Sequence, residues 1–242
     1  MTDTNSNSTA NVKGATVEAM FNEIAPRYDL LNHILSLNID RIWRKKLIKK
    51  LKAENPSHVL DIATGTADLA IMLGKRSKDI RITGIDVAEQ MLAVGRRKVY
   101  NKGLSDRIQL KRAAAEDIPY PDATFDCAMV AFGVRNFSRP DLGLREIRRV
   151  LKPGGKVFVL EFSTPSKFPM KGLYRFYFHS VLPFVGRMVS GHKQAYTYLP
   201  ESVERFPEGA DFVKMMRDAG FEGCSAKKLS FGIATLYGGR HY

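Results

Sequence analysis

Two cysteines in 242 residues, Cys127 and Cys224, are too few for a disulfide framework and carry no metal-ligand spacing. Cys127 lies inside an apolar run and reads as a small core residue, so a reducing, cytoplasmic setting fits. The five histidines show no ligand spacing either, and no metal is expected. No stretch reaches the roughly 18 uninterrupted apolar residues of a membrane span. Residues 1–11 are rich in Thr, Ser and Asn without an apolar run; they read as disordered tail, not as signal peptide. Acid is scarce, with 25 Asp and Glu against 38 Lys and Arg. The resulting net charge of +13 and pI near 9.8 favour an anionic partner, whether nucleic acid, acidic lipid or acidic protein. Three glycine-dependent or catalytic patterns are also missing: the G-x-G-x-x-G turn, the phosphate-binding P-loop, and a tyrosine followed four residues later by lysine. Their absence argues against a nicotinamide dinucleotide and against a triphosphate.

What is present points to a ligand of a different kind. A hydrophobic content of 44% at this length supports one large domain, expected over residues 15–242 behind a tail at 1–14. The run Val59-Leu60-Asp61-Ile62-Ala63-Thr64-Gly65-Thr66-Ala67-Asp68 reads as a strand, a small-residue turn and the start of a helix. Gly65 allows a tight turn that a Cβ would obstruct. Asp86 closes the next apolar run 21 positions beyond Gly65, near the roughly 20 residues at which dinucleotide folds place an acid on a ribose. A nucleoside cofactor without phosphates satisfies these features, and S-adenosylmethionine (SAM) fits. Asp61 or Asp68 would attract its ammonium, turn amides and the helix start its carboxylate, and Asp86 both ribose hydroxyls. Simpler roles stay open: Asp61 as a cap on the turn, Asp86 as a cap on the helix that begins near Ala88.

Strand-like runs at His58–Ile62, Ile80–Asp86, Ile108–Lys111, Phe125–Phe132 and Lys156–Phe162 alternate with helical patterns at Asp68–Lys75, Ala88–Tyr100 and Pro140–Leu151. Such alternation builds a parallel sheet with helices on both faces and ligands beyond the strands' carboxyl ends. Ser138 is expected to cap the last of these helices, with Pro140 in its first turn, Asp141 opposing the dipole and Lys152-Pro153-Gly154-Gly155 ending it. Val17, Met20, Phe21 and Ile24 outline an amphipathic helix ending near Pro26. In the following helical region Ile39, Trp43, Leu47 and Leu51 are spaced by four, with Lys45, Lys46, Lys49 and Lys50 opposite. This basic face is either plain solvated surface or a contact for acidic lipid. Residues 163–206 interrupt the alternation with a concentration of aromatics. A final helix follows Pro207, with Phe212, Met215, Met216 and Ala219 on one face and Gly220 as its stop. Runs near Gly223–Leu229 and Phe231–Tyr237 are spaced to pair as a hairpin, so the chain should end in a reversed strand.

With Pro119-Tyr120-Pro121-Asp122-Ala123-Thr124-Phe125-Asp126 and Arg149-Val150-Leu151-Lys152-Pro153-Gly154-Gly155 added, the chain resembles the class I SAM-dependent methyltransferases. More narrowly it resembles the ubiquinone/menaquinone biosynthesis C-methyltransferases, and among them those that methylate demethylmenaquinol. The narrower likeness rests on Met20-Phe21 through Pro26-Arg27-Tyr28-Asp29, Phe132-Gly133-Val134-Arg135-Asn136, Leu160-Glu161-Phe162-Ser163 and Tyr196-Thr197-Tyr198-Leu199-Pro200-Glu201-Ser202. Asp218-Ala219-Gly220-Phe221 and the Gly232-to-Tyr237 end extend it to roughly Thr16–Tyr242. The resemblance implies an α/β, Rossmann-like fold: a mostly parallel seven-stranded sheet with one antiparallel strand, an N-terminal helical extension at 15–55 and an aromatic helical insertion at 163–206. It implies cofactor contacts at Thr66, Asp86, Ala114 and Ala115. Three positions depart from the commoner pattern: Ala67 replaces a glycine, Ala114 a polar residue and Ala131 a small hydroxyl residue.

The implied reaction moves a methyl group from SAM to a ring carbon of a prenylated demethylnaphthoquinol. Ring carbon is a poor nucleophile until a ring hydroxyl loses its proton, so the protein has to align the reactants and assist deprotonation. Arg135 and Asn136 follow the fourth strand and are the candidates: Arg135 to stabilise the phenolate, Asn136 to orient it or a proton-accepting water. They also suit a purely loop-fixing pair. His179 is a possible base or a structural histidine. Phe176, Tyr177, Phe178, Leu182, Phe184 and Val185 would line a path for an isoprenoid tail, or form an ordinary packed helix pair. Broken by His179, Pro183 and Arg187, that region would lie on the inner face of the cell membrane without spanning it. A homodimer is compatible with the sequence. A nucleic-acid methyltransferase is the rival that the charge encourages. Adenine amino methylation, however, uses an Asn/Asp-Pro-Pro-aromatic motif where Phe132–Asn136 stands, so no nucleic acid is expected. A dual enzyme that also methylates the benzoquinol precursor of ubiquinone, and a non-catalytic cofactor-binding protein, complete the alternatives.

Overall fold

The computed structural model describes residues 18–25, 36, 38–165, 168–177, 198 and 201–242. After a helical segment over 18–24, the elements are α1 (Ile39–Lys52), β1 (His58–Ile62), α2 (Asp68–Gly74), β2 (Arg81–Asp86), α3 (Glu89–Asn101), β3 (Ile108–Arg112) and β4 (Phe125–Ala131). They continue with a 3₁₀ turn (Val134–Asn136), α4 (Pro140–Val150), β5 (Leu151–Phe162), α5 (Met170–Phe176), α6 (Ala210–Asp218), β6 (Glu222–Leu229) and β7 (Ala234–Arg240). The strands form a seven-stranded sheet ordered β3-β2-β1-β4-β5-β7-β6. Strands β1 to β5 pair in parallel, and β7 runs antiparallel to both β5 and β6.

The reversed strand expected from the final hairpin is β7, which lies inside the sheet while β6 forms the edge. The burial patterns explain this order. Four of the five β1 residues are buried, as are the central residues of β2 and β4, which suits strands covered on both faces. Strand β6 is mostly exposed and carries Lys227 and Lys228, a charged edge that resists pairing with another chain.

The chain travels outward from β1 to β2 and β3, then returns across β1 to β4 and β5. The crevice between the β1 and β4 carboxyl ends is therefore the topological switch point. Two boundaries differ from the sequence reading. Ser138 does not cap α4: Arg139 holds the N-cap position without a side-chain cap. The Arg139 N–H instead donates to Glu116 Oε1 at 2.9 Å, so a distant carboxylate supplies what the local hydroxyl was expected to supply. Pro140 and Asp141 do occupy the first turn. The Lys152–Gly155 turn ends α4 but lies within β5, as a bulge between the pairs Phe125–Leu151 and Cys127–Lys156.

The two broader motifs prove to be scaffold. Arg149 donates to Tyr120 O, Asp122 Oδ1 and Glu146 Oε1, each at 2.8 Å, and to Ile118 O at 2.9 Å. Asp126 Oδ2 accepts from the N–H groups of Ser57 and His58 at 2.9 and 2.8 Å, tying β4 to the start of β1.

Helix α1 buries Trp43, Leu47, Ile48 and Leu51, while Lys45, Lys46, Lys49 and Lys50 are all exposed. Trp43 donates to Ser230 Oγ at 2.8 Å and sits 6.1 and 6.2 Å from the rings of Phe132 and Phe162. The helix is thereby pinned over the carboxyl ends of β4 and β5, beside the crevice. Leu47 is fully buried, so Leu47→Ala should cost about 2–5 kcal/mol of unfolding free energy. Lys46→Ala on the opposite face should change it by less than about 0.5 kcal/mol. Urea titration followed by circular dichroism checks both.

Candidate functional site

The turn after β1 is built from left-handed backbone at Ala63, Gly65 and Ala67, with φ of 52°, 57° and 64°. Glycine adopts this region freely, whereas alanine costs about 1–2 kcal/mol there. Ala67, which stands where the commoner pattern has glycine, thus carries a conformational cost. Hydrogen bonds hold the turn in shape. Thr64 N–H donates to Ile85 O at 3.0 Å and Ala67 N–H to Thr64 O at 2.9 Å. The Thr64 hydroxyl donates to Asp61 Oδ2 at 2.6 Å.

Asp86 binds the turns after β1 and β2 together: Oδ2 accepts from Gly65 N–H at 2.8 Å and Oδ1 from Ala88 N–H at 2.9 Å. The carboxylate therefore does cap the start of α3, and it also borders the cleft described below. Its two oxygens offer about four acceptor sites, and even with the Val87 N–H also acting on it, acceptor capacity remains for a ligand hydroxyl. Burial raises its pKa, against the opposing effect of the Ala88 and Gly65 N–H groups. Asp61 is 1% exposed. Burial is the main reason its pKa is pushed up to about 7, with the Thr64 hydroxyl and the nearby Arg44 charge pulling the other way.

A cleft of about 380 Å³ opens at the switch point, within the size range of small-molecule sites. Gly65, Asp86, Ala114, Ala115 and Asn136 all line it, together with apolar groups such as Ile62, Met91 and Phe137. A narrower recess beside it is lined by Arg44, Asp61, Thr64, Thr66 and Asp68. Cleft and recess share Ala63, Gly65 and Ala131, so the position that lost its hydroxyl residue lies at their junction. Asp68 is ion-paired with Lys98 at 2.5 Å, and Lys98 also donates to Thr66 Oγ1 at 3.1 Å. That leaves Asp61 as the recess carboxylate without a lysine or arginine partner within salt-bridge distance among the described residues.

The loop after β4 forms the other wall. Phe132 has φ of 62°, an uncommon conformation for a bulky residue, and its N–H is held by Leu160 O at 2.7 Å. A Cβ on Gly133 would lie 2.5 Å from Ala63 Cβ, so only glycine lets the β4 loop touch the β1 turn. Arg135, predicted to face the substrate, lines neither cavity. Its guanidinium forms a buried ion pair with Glu161, Nη1 to Oε1 at 2.6 Å, with side-chain exposures of 7% and 0%. Nη1 also donates to Phe132 O at 2.5 Å and Nε to Ser202 Oγ at 3.3 Å. Asn136 does line the cleft, and its Oδ1 accepts from the Tyr198 hydroxyl at 3.0 Å. Burial raises the Tyr198 pKa, which keeps that hydroxyl a donor. The Asn136 carbonyl is therefore occupied and its NH₂ group remains to donate.

Glu161, Tyr198 and Arg44 were not assigned roles from the sequence. Glu161 had a readable signal: a single acid in the otherwise apolar run Val157–Phe162 needs a buried cation. Arg27, Tyr28 and Asp29, and Phe178, His179, Leu182, Phe184 and Val185 of the aromatic insertion, lie outside the described residues. Tyr177 is partly buried beside Tyr174 and Val203.

The ubiE/COQ5 methyltransferase family model matches residues 9–241. A demethylmenaquinone methyltransferase of Bacteroides fragilis is 44% identical over 225 residues, covering 93% of this chain and 92% of that protein. A ubiquinone/menaquinone biosynthesis C-methyltransferase of Geotalea daltonii is 45% identical over 228 residues, covering 94% and 97%. Among solved structures, a SAM-dependent methyltransferase of Thermotoga maritima superposes with a TM-score of 0.64 at 19% identity, covering 93% of this chain and 99% of the other. That likeness shows the fold, the class I methyltransferase α/β sheet. The sheet order, the acid-bearing turns and these matches agree: the chain belongs to the ubiE/COQ5 methyltransferase family.

Proposed function

We propose that this methyltransferase uses SAM to methylate a ring carbon of a prenylated demethylnaphthoquinol, converting demethylmenaquinol to menaquinol. The observation that carries the cofactor assignment is the joined pair of cavities. An apolar cleft with a ribose-grade acid, Asp86, opens into a polar recess holding Asp61. The residues lining them suit a nucleoside at one end and a zwitterion at the other. Ala114 and Ala115 would flank the base by packing, Thr66 and Gly65 would border the amino-acid end, and Asp61 would take the ammonium. When bound, SAM supplies an electrophilic methyl group on a sulfonium. The substrate class is supported by the names of the relatives that match over nearly the whole chain.

On the acceptor side, Asn136 projects into the cleft with its NH₂ group available. We assign it to the ring oxygen that becomes the phenolate, where a hydrogen bond strengthens as negative charge grows. Arg135 is a positioning residue in this reading. Its charge is neutralised by Glu161, and the pair holds the Phe132–Asn136 loop that presents Asn136. The exposed Lys45, Lys46, Lys49 and Lys50 suit an anionic membrane surface, where a prenylated quinol resides. No helix among the described residues is long and apolar enough to cross a membrane.

A second reading, activity on the benzoquinol precursor of ubiquinone as well, is favoured by the relative named for both quinones. Purified protein given SAM and each reduced demethylated quinol in turn separates the two. Methylated naphthoquinol without methylated benzoquinol is expected. No product from either quinol, with SAM bound, would remove the proposal.

Arg135→Ala leaves Glu161 buried without its partner, an arrangement that costs about 3–5 kcal/mol in other proteins. The expected result is a lowered melting temperature and turnover reduced at least tenfold, with SAM affinity by calorimetry within about threefold. Unchanged turnover would remove Arg135 from the reaction.

Asp61 gives a pH signature. Its folded pKa near 7 lies above the ordinary carboxylate value. Its contribution to stability is therefore present below about pH 4 and is lost as pH rises to 7. Asp61→Asn should flatten that decline and leave the ligand-free protein more stable than wild type at pH 8. An ammonium favours the ionised form, so wild-type SAM affinity should rise from about pH 5.5 to pH 7, below the range in which the α-ammonium itself deprotonates. Calorimetry on Asp61→Asn should show weaker binding without that rise.

A further inference from the structure

We infer that Arg44, on the N-terminal helix α1, holds the carboxylate of the cofactor's amino-acid end; this rests on the SAM reading of the recess. Arg44 is 8% exposed and lines the recess with Asp61, Thr64 and Thr66. Its Nε is used by Asp40, at 3.3 Å from Oδ2, and its guanidinium lies 5.4 Å from the centre of the Phe132 ring. Neither Nη donates to a protein acceptor among the described residues. A nine-tenths buried guanidinium that borders a polar recess, with only its Nε engaged in the salt bridge to Asp40, keeps its Nη donors for an anion.

The alternatives for the carboxylate are largely used up. The sequence nominated the amides of the β1 turn. However, Thr64 N–H is bonded to Ile85 O, Ala67 N–H to Thr64 O and Gly65 N–H to Asp86. Helix α2 has only seven residues and opens with Asp68, which repels a carboxylate at its start. Lys98, which reaches the recess residues Asp68 and Thr66, is committed to both. What remains is a pair of unlike charges: Asp61 for the ammonium and Arg44 for the carboxylate. Arg44 also rests on Phe132, the strained residue that begins the acceptor-side loop. A bidentate grip on the cofactor would thus bear on the loop presenting Asn136.

The test compares SAM with decarboxylated SAM, which keeps the adenosine, sulfonium and ammonium but lacks the carboxylate. Calorimetry on the full chain should show wild type preferring SAM by roughly ten- to a hundredfold, the scale of one charge-assisted contact. Arg44→Gln should weaken SAM by a similar factor while changing decarboxylated SAM by less than about threefold, so the preference collapses. Arg44→Lys should restore part of it. Equal weakening of both ligands would make Arg44 merely structural and overturn the inference. Wild type binding both ligands equally would overturn it without any variant, should the substitutions fail to fold. Wild type binding neither ligand would instead bring down the SAM reading, and the Arg44 assignment with it.

Discussion

A carboxylate placed between two backbone turns organises this molecule's ligand end. Asp86 accepts one N–H from the turn after β1 and one from the turn after β2. Backbone amides at a turn need partners, and leaving them unpaired in a partly buried crevice costs about as much as a lost hydrogen bond. By satisfying both, Asp86 fixes the distance between two loops that parallel pairing alone leaves loose. The same bonds orient its remaining lone pairs toward the cleft. Structural and binding roles are therefore one arrangement: the groups that hold the carboxylate still are those that aim it.

The opposite wall is organised by charge of both signs buried together. Glu161 has no exposed surface in strand β5, and Arg135 reaches it from the β4 loop. Burying such a pair does little for net stability, because desolvation offsets the attraction. What it gives is a single loop conformation. The guanidinium also takes the Phe132 carbonyl, which helps keep that residue at its positive φ, and Gly133 lets the loop lie against Ala63. Asn136 follows three residues after Gly133, with its carbonyl accepting from Tyr198. The strain and the buried pair both sit one step back from the cleft, and Asn136 is what they present to it.

Much of this frame was legible before any coordinates. β1 matched at both ends, and β2, β3 and β4 to within a residue, because short β-branched runs bounded by turn residues leave few alternatives. The acids near the carboxyl ends of β1 and β2 were readable as crevice residues for the same reason, and Asp61 and Asp86 do line the cavities there. What sequence could not resolve is which partner a polar group chooses when several are within reach. Ser138 was adjacent to α4 and lost to Glu116, more than twenty residues away. Arg135 was adjacent to the acceptor site and turned inward to Glu161. Arg44 lay next to the apolar stripe of α1 and was hidden within a basic surface pattern, although its neighbours Lys45 and Lys46 are exposed and it is not. These choices depend on tertiary distances, to which local periodicity is blind.

The charge map also fits the direction of the chemistry. The chain carries a net charge of +13, yet carboxylates are concentrated at its cavities: Glu18, Asp86 and Glu116 around the cleft, Asp61 and Asp68 around the recess. In a confined, poorly solvated crevice such local charges act more strongly than the distant basic surface, which water and salt screen. A sulfonium cofactor gains from that negative potential and loses the gain once its methyl group has left and its sulfur is neutral. With Glu18 paired to Arg112 and Asp68 to Lys98, Asp86 is the cleft acid that, on the SAM reading, would favour the charged cofactor over its neutral by-product. The basic exterior includes the exposed lysines of α1, which in the proposed function would face an anionic surface. Opposite potentials inside and outside are what the proposed function requires of one domain: a local acid for a cationic cofactor and a basic face for an anionic layer.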